Sequence, residues 1–135
     1  MSSVFTKIIN GELPSYKIYE DDLTFSFLAL DQVNLGHTLV IPKREVNHWF
    51  DVPREDYLRV QLNAQEIAKA IQRATNSPRV ATVTLGFEVQ HYHLHLIPAW
   101  SIAEVQFSRA QKRSAEEMIS IREKIISQLP PEFRS

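Results

Sequence analysis

Three of the five histidines occupy alternating positions in the stretch QHYHLHLIPAW, which spans residues 90–100. Successive side chains of a β-strand point to opposite faces, so this spacing predicts one face that carries His91, His93 and His95. The other face would carry apolar residues that pack into a core. A buried imidazole needs a partner for each of its two nitrogens, so three such rings on one face are unfavourable without a function. The pattern therefore predicts a site for chemistry.

Nucleophilic catalysis is the first chemistry that such a strand favours. A neutral imidazole can attack phosphorus and form a phosphohistidine, which divides one difficult displacement into two easier ones. The attacking ring must present its unprotonated nitrogen, so its other nitrogen needs an acceptor such as a backbone carbonyl. A flanking protonated histidine would stabilise charge on the phosphoryl oxygens or donate to the leaving group.

A metal site is the second chemistry, because neutral imidazole is a good ligand for Zn²⁺. Residues four apart on an extended strand lie about 13 Å from each other, so His91 and His95 would not reach one ion. His37, from an earlier strand, would have to complete a site with one neighbouring pair of histidines. We therefore rank the metal site below catalysis and expect neither a metal nor another cofactor.

The composition excludes several other classes of protein. The chain has 135 residues, 44% of them apolar and 23% charged, which is typical of a globular protein and predicts a single domain over residues 1–135. The net charge is −1, and no basic run indicates binding to nucleic acid. No cysteine is present, so disulfides and thiolate metal sites are excluded. The sequence shows neither a signal-peptide core nor an apolar run of about 20 residues, so we expect no membrane association and a cytoplasmic location.

Turn signals and hydrophobic periodicity predict an α+β fold. We expect a short helix from Val4 to Asn10, a hairpin of two strands, and a third strand, HTLVIPK, that begins at His37. The sequence DVPRED opens the longest helix, with Pro53 in its first turn. A strand from Arg79 to Leu85 and the histidine strand follow. The order predicts a mostly antiparallel sheet with the long helix across one face.

The two main helices have apolar stripes at three- and four-residue spacing. A capping box of Ser114 and Glu117 opens the last helix. The stripe of the long helix comprises Tyr57, Val60, Ala64, Ile67 and Ile71, and that of the last helix comprises Met118, Ile121, Ile125 and Leu129.

The histidine stretch resembles the His-φ-His-φ-His-φ-φ signature of the histidine triad (HIT) superfamily of nucleotide hydrolases and transferases. VFTKIINGELPSYKIYEDD resembles the opening of that family, and GHTLVIPKREV resembles its strand with an upstream fourth histidine. GFEVQHYHLHLIP is similar to a bacterial variant of the motif. These stretches span residues 4–98 in the order of the family, and the resemblance is closest to the Hint-like branch.

The resemblance implies a HIT-like fold, with a five-stranded sheet, one long helix across it and a C-terminal helix, in a homodimer. It also implies action on the α-phosphate of a nucleoside phosphoramidate or dinucleotide. His93 would be the nucleophile and would form a nucleotidyl-histidine, while the carbonyl of His91 would hold its ring. His95 would contact the phosphate near the leaving group, and His37 would support the triad.

Departures from the family pattern concern the substrate. Ala29 stands where the family usually has an acidic residue that binds ribose, and Asp31 is the nearest replacement. Glu88 stands where Ser or Thr is common, and Gln90 replaces a proline. A nucleotide or anion sensor with little turnover is therefore an alternative to an enzyme. Candidate substrate-binding residues are Ile18, Phe27, Asp31, Glu88, Gln90 and Arg109.

Overall fold

Three α-helices and seven strands form the part of the chain that the computed structural model describes, residues 2–134. The helices are α1 (Val4–Ile9), α2 (Arg54–Thr75) and α3 (Ala115–Ser127). The strands are β1 (Lys17–Glu20), β2 (Thr24–Leu28), β3 (Asp31–Gln32), β4 (Thr38–Pro42), β5 (Arg79–Val83), β6 (Leu94–Ala99) and β7 (Gln111–Lys112). Single turns of 3₁₀-helix lie at Trp49–Asp51, Ile102–Glu104, Phe107–Arg109 and Pro131–Phe133.

The main sheet has the strand order β1-β2-β4-β6-β5, and every neighbouring pair is antiparallel. Every residue of β2, β4 and β6 is buried, because the three central strands are covered on both faces. The strands β3 and β7 pair separately in a two-stranded sheet that the sequence did not predict. The predicted α+β fold with a mostly antiparallel five-stranded sheet is confirmed.

The larger core lies between the sheet and the helices α2 and α3. The predicted stripe of α2 packs there, with Val60, Ile67 and Ile71 fully buried against the sheet residues Val40 and Leu96. Fully burying a side chain of this size contributes roughly 1.5–3 kcal/mol. This core therefore fixes the sheet that carries the histidines.

A smaller core covers the opposite face of the sheet. Phe5 and Ile8 of α1 pack on Phe25 and Phe27 of β2 and on neighbouring residues of β4. Ser3 caps the helix, since its hydroxyl oxygen accepts a hydrogen bond from the amide of Thr6 at 3.1 Å. This short helix lies beside the histidines, as described below.

Five predicted boundaries differ from the structure. Helix α1 ends at Ile9 rather than Asn10, and β4 begins at Thr38 rather than His37. Helix α2 begins at Arg54, so Pro53 precedes its first turn, and β5 ends at Val83 rather than Leu85. Strand β6 begins only at Leu94, because residues 84–93 form an irregular segment. Two of the three clustered histidines therefore precede the strand that was predicted to carry them.

The described helices include none that is long and apolar enough to cross a bilayer. The cytoplasmic location stays a prediction.

Candidate active site

The histidines keep their alternation although β6 is shorter than predicted. The amide of Tyr92 donates to the carbonyl of Val46 at 2.7 Å, which holds the approach to β6 in place. Tyr92 packs in the helix-side core, whereas the rings of His93 and His95 lie on the other side with their centroids 4.8 Å apart. Phe5 of α1 contacts the His93 ring edge-on at 4.9 Å. The helix α1 therefore forms a wall of the site.

His93 is held in one tautomer by the backbone. Its Nδ1 lies 2.7 Å from the carbonyl oxygen of His91. A carbonyl only accepts hydrogen bonds, so Nδ1 carries the proton and Nε2 has an open lone pair. Burial lowers the pKa of His93 from its ordinary value, against smaller opposing effects of the His91 carbonyl and of Glu88. The ring is therefore neutral at pH 7, as a nucleophile requires.

His91 is fixed at both ring nitrogens. Its Nε2 donates to the carbonyl of Pro42 at 2.8 Å, so Nδ1 is left to accept from the hydroxyl of Ser3, also at 2.8 Å. Burial lowers the pKa of His91. Ser3 thus joins the start of α1 to the triad. Sequence reasoning missed this residue, and its only signal was a serine in position to cap the helix.

His37 and His95 form a buried chain of hydrogen bonds. The amide of Val33 donates to Nδ1 of His37 at 3.2 Å, so the proton of that ring is on Nε2. This Nε2 lies 2.9 Å from Nδ1 of His95 and donates to it. The proton of His95 is consequently on its Nε2. The side-chain amide of Gln32 supports the turn by donating to the carbonyls of Ala29 and His37.

Both rings of this pair are neutral. Burial, together with a smaller effect of neighbouring histidines, lowers the pKa of His37 to about 4 and that of His95 to about 3. The flanking histidine was expected to be protonated, and in this structure it is not. A neutral His95 can donate one hydrogen bond from Nε2, but it would become an imidazolate if it gave that proton away. Its chemistry is therefore hydrogen bonding to an anion rather than proton transfer.

Two cavities flank His93. The first has a volume of about 290 Å³ and the second of about 320 Å³, and both are near the lower end for small-molecule sites. Leu85, Gly86, Phe87 and His93 line both of them. The first is also lined by Phe5, Leu39, Glu88, Val89, His95 and Phe107. The second is also lined by Asn47, His48, Trp49, Thr84, Gln90 and Tyr92.

Glu88 and Gln90 are the two candidate substrate-binding residues that the structure brings to His93. Glu88 lies on the first cavity and Gln90 on the second. Phe27 is buried behind Phe5, with ring centroids 5.6 Å apart, and lines neither cavity.

The other three candidates lie away from the histidines. Ile18 packs in the helix-side core with Leu28 and Val40. Asp31 pairs with Lys112 in the small sheet. Arg109 is exposed and donates to the side-chain oxygen of Asn34 at 2.8 Å. The sequence missed Phe107, which contacts the His95 ring at 4.8 Å, because nothing in a single chain signals a contact between distant loops.

The geometry does not favour a metal site. Within residues 2–134, no group of three or more His, Cys, Asp or Glu side chains is arranged to hold an ion. Both nitrogens of His37 and of His91 already have protein partners, which leaves them unavailable as ligands.

The fold and the two hydrogen-bonded pairs of histidines, His37 with His95 and His91 with His93, define a histidine triad protein. The family model described as the HIT domain matches residues 10–101, which is more than half of the chain, and the chain belongs to this family.

Its relatives include both unassigned proteins and an enzyme. An uncharacterized HIT-like protein of Borreliella burgdorferi is 37% identical over 121 residues, which cover 84% of this chain and 86% of the relative. The adenosine 5′-monophosphoramidase HNT1 of Saccharomyces cerevisiae is 31% identical over 128 residues, with 84% and 78% covered. The crystal structure of a Hit-like protein from Bartonella henselae superimposes with a TM-score of 0.84 at 28% identity, covering 95% of this chain and 97% of that one.

Proposed function

We propose that the protein binds a nucleotide derivative and transfers its nucleotidyl group to water or to another acceptor. His93 attacks the α-phosphorus, and the intermediate is a nucleotidyl-histidine. The observation that carries the proposal is the 2.7 Å hydrogen bond from Nδ1 of His93 to the carbonyl of His91. This bond leaves the lone pair of Nε2 for attack on phosphorus. The name of the yeast relative, an adenosine 5′-monophosphoramidase, supports the same class of reaction.

The reaction would proceed in two displacements. Nε2 of His93 forms a bond to the α-phosphorus, and the bond to the leaving group breaks with its electron pair going to the leaving atom, which takes a proton from solvent. Water then attacks the phosphorus and releases one proton to solvent, and the electron pair of the N–P bond returns to Nε2. The carbonyl of His91 stabilises the positive charge on the phosphorylated ring, and Nε2–H of His95 donates to a phosphoryl oxygen.

The predicted homodimer belongs to the same proposal. Strand β5 is at the end of the sheet order and pairs only with β6, so its other edge has unpaired backbone groups. Leu58 and Leu62 of α2, a helix that contacts β5, are large apolar side chains that remain exposed. Pairing of two β5 edges across a two-fold axis would cover both features.

A sensor with little turnover is the second candidate function. Its support is the acidic Glu88 on the cavity beside His93, together with the lack of a Lys or Arg side chain in the lining of either cavity. A carboxylate there repels an anionic transition state, which would leave binding without fast chemistry.

The test is release of AMP from adenosine 5′-phosphoramidate by the full chain, with and without EDTA. The His93→Ala variant is expected to lose activity and to keep its circular dichroism spectrum and cooperative unfolding. Turnover by a folded His93→Ala protein would overturn the mechanism. Binding measured by calorimetry without AMP release would instead establish the sensor, and loss of activity in EDTA would indicate a metal-dependent reaction.

A further inference from the structure

A carboxylate after β4 holds the start of α1 beside the histidines. Oε1 of Glu45 accepts from the amide of Ser3 and from the hydroxyl of Thr6, each at 2.7 Å. The amide of Ser3, together with Thr6, lowers the pKa of Glu45 from its ordinary value, so the side chain is an anion at pH 7. Hydrogen bonds to an ionised acceptor are stronger than those between neutral groups. Glu45 lines neither cavity beside His93, so its role is not contact with a substrate there.

These bonds give the hydroxyl of Ser3 a single direction. Its oxygen accepts from the amide of Thr6 at 3.1 Å. The hydroxyl oxygen of Thr6 is 3.4 Å from that of Ser3, whereas Nδ1 of His91 is 2.8 Å away and has an open lone pair. The single hydroxyl proton of Ser3 therefore goes to His91. Because Glu45 fixes the backbone of Ser3, it determines where this hydroxyl lies.

The residue after Glu45 holds the peptide group between His91 and Tyr92. The N–H of this peptide donates to the carbonyl of Val46 at 2.7 Å. The peptide is trans, so its N–H and C=O point in opposite directions, and the bond aims the carbonyl of His91 away from Val46. That carbonyl accepts from Nδ1 of His93. Two adjacent residues therefore hold residue 91, one acting on its ring and the other on its backbone.

The rigidity of residue 91 matters for the chemical step. Attack on phosphorus gives the ring of His93 a positive charge. The carbonyl of His91 stabilises this charge best if it is already aimed at Nδ1, because reorientation during the reaction would cost free energy. The hydrogen bond from Tyr92 to Val46 also polarises the peptide, which makes its carbonyl a stronger acceptor.

We propose that Glu45 is a positioning residue for the reaction, which acts through Ser3 to hold His91 and thereby the ring of His93. This inference rests on the proposed function of His93. The carboxylate serves as a hydrogen-bond acceptor for α1 and exchanges no proton with the substrate. Since it touches no part of the substrate, its effect is on kcat rather than on KM.

The experiment measures kcat and KM of the full chain with adenosine 5′-phosphoramidate. Glu45→Ala is expected to lower kcat by about 5-fold, the size typical of one lost hydrogen bond, and to leave KM unchanged. Glu45→Gln keeps an acceptor oxygen and should retain kcat within about 2-fold. Glu123→Ala, at an exposed glutamate of α3, is the matched control and should change neither constant. Equal kcat for wild type and Glu45→Ala would overturn the proposal.

A double variant tests whether Glu45 acts through Ser3. In the Ser3→Ala background, Glu45→Ala should lower kcat by less than about 2-fold, because the hydroxyl that Glu45 positions is already gone. A further fall of about 5-fold would show that the two residues act independently, and it would overturn the proposal.

Proton exchange separates this inference from the proposed function. In NMR spectra without substrate, Nδ1–H of His93 is expected to exchange with water about 5-fold faster in Glu45→Ala than in wild type and Glu123→Ala. If the wild type releases no AMP, the proposed function fails, and this exchange rate alone decides whether Glu45 holds the ring. Equal exchange rates in all three proteins would overturn the inference whether or not turnover occurs.

Discussion

Acidification from pH 7.5 to pH 5 is expected to destabilise the fold through His37 and His95. Both rings are buried and neutral, with pKa values of about 4 and about 3 against an ordinary value of 6.5. An unfolded chain protonates these rings below pH 6.5, whereas the folded chain does not until the pH approaches 4. The contribution of these two rings to the free energy of unfolding is therefore full above pH 6.5. It decreases as the pH falls from 6.5 toward the pKa values of the folded state, about 4 and about 3. At pH 5 each ring lowers the free energy of unfolding by about 2 kcal/mol, and the pair lowers it by about 4 kcal/mol.

Urea unfolding at pH 7.5 and pH 5 measures this difference directly. Most carboxyl groups stay ionised at pH 5, so the histidines dominate the change. The His37→Asn variant is expected to be less stable at pH 7.5 and to show a pH-dependent loss about 2 kcal/mol smaller than that of the wild type, since one buried ring is gone. A wild-type loss below about 1 kcal/mol would refute the assignment of two neutral buried rings. Ring signals assigned to His37 or His95 that titrate near pH 6.5 in NMR spectra of the folded protein would refute it as well.

Three further results are expected. The midpoint of the fall of kcat/KM in acid should lie below pH 6.5, because burial lowers the pKa of His93 and only its neutral ring attacks. A midpoint at or above pH 6.5 would contradict this. Ser3→Ala removes the donor to Nδ1 of His91 and should lower kcat by about 2- to 10-fold, while Ser3→Thr keeps the hydroxyl and most of the activity. Equal rates for wild type and Ser3→Ala would show that the bond has no part in the reaction. Ser114→Ala breaks the capping box with Glu117 and should lower the free energy of unfolding by about 1 kcal/mol in urea titrations, without any effect on kcat.

The elements that the sequence predicts well are those with a repeating pattern. The stripe of α2 and the capping box of α3 follow from spacing alone, because a helix brings every third and fourth residue to one face. The alternation of the histidines is a pattern of the same kind. It survives in the structure even where the backbone of His91 and His93 leaves the strand geometry.

Features set by tertiary contacts could not be predicted. The strands β3 and β7 are two residues long, which is too short for any periodic signal, and they pair across about 80 intervening residues. The face of the sheet on which Ile18 lies depends on how β1 packs against the helices, which one strand alone does not reveal. Ser3 reaches His91 only because α1 folds across the sheet. The second cavity likewise exists only where two distant loops meet.

The main-chain amide of Val33 determines which nitrogen of His95 carries the proton. It donates to Nδ1 of His37, so Nε2 of His37 donates to Nδ1 of His95 and leaves the proton of His95 on Nε2. Every amino acid except proline supplies that amide, so the buried side chain of Val33 does not set the direction of the hydrogen bonds between the two rings. The backbone of residue 33 therefore decides which nitrogen of His95 faces an anion as a donor. The proton position on a catalytic-site ring is thus set here by the shape of a turn, which brings a backbone amide to Nδ1 of His37.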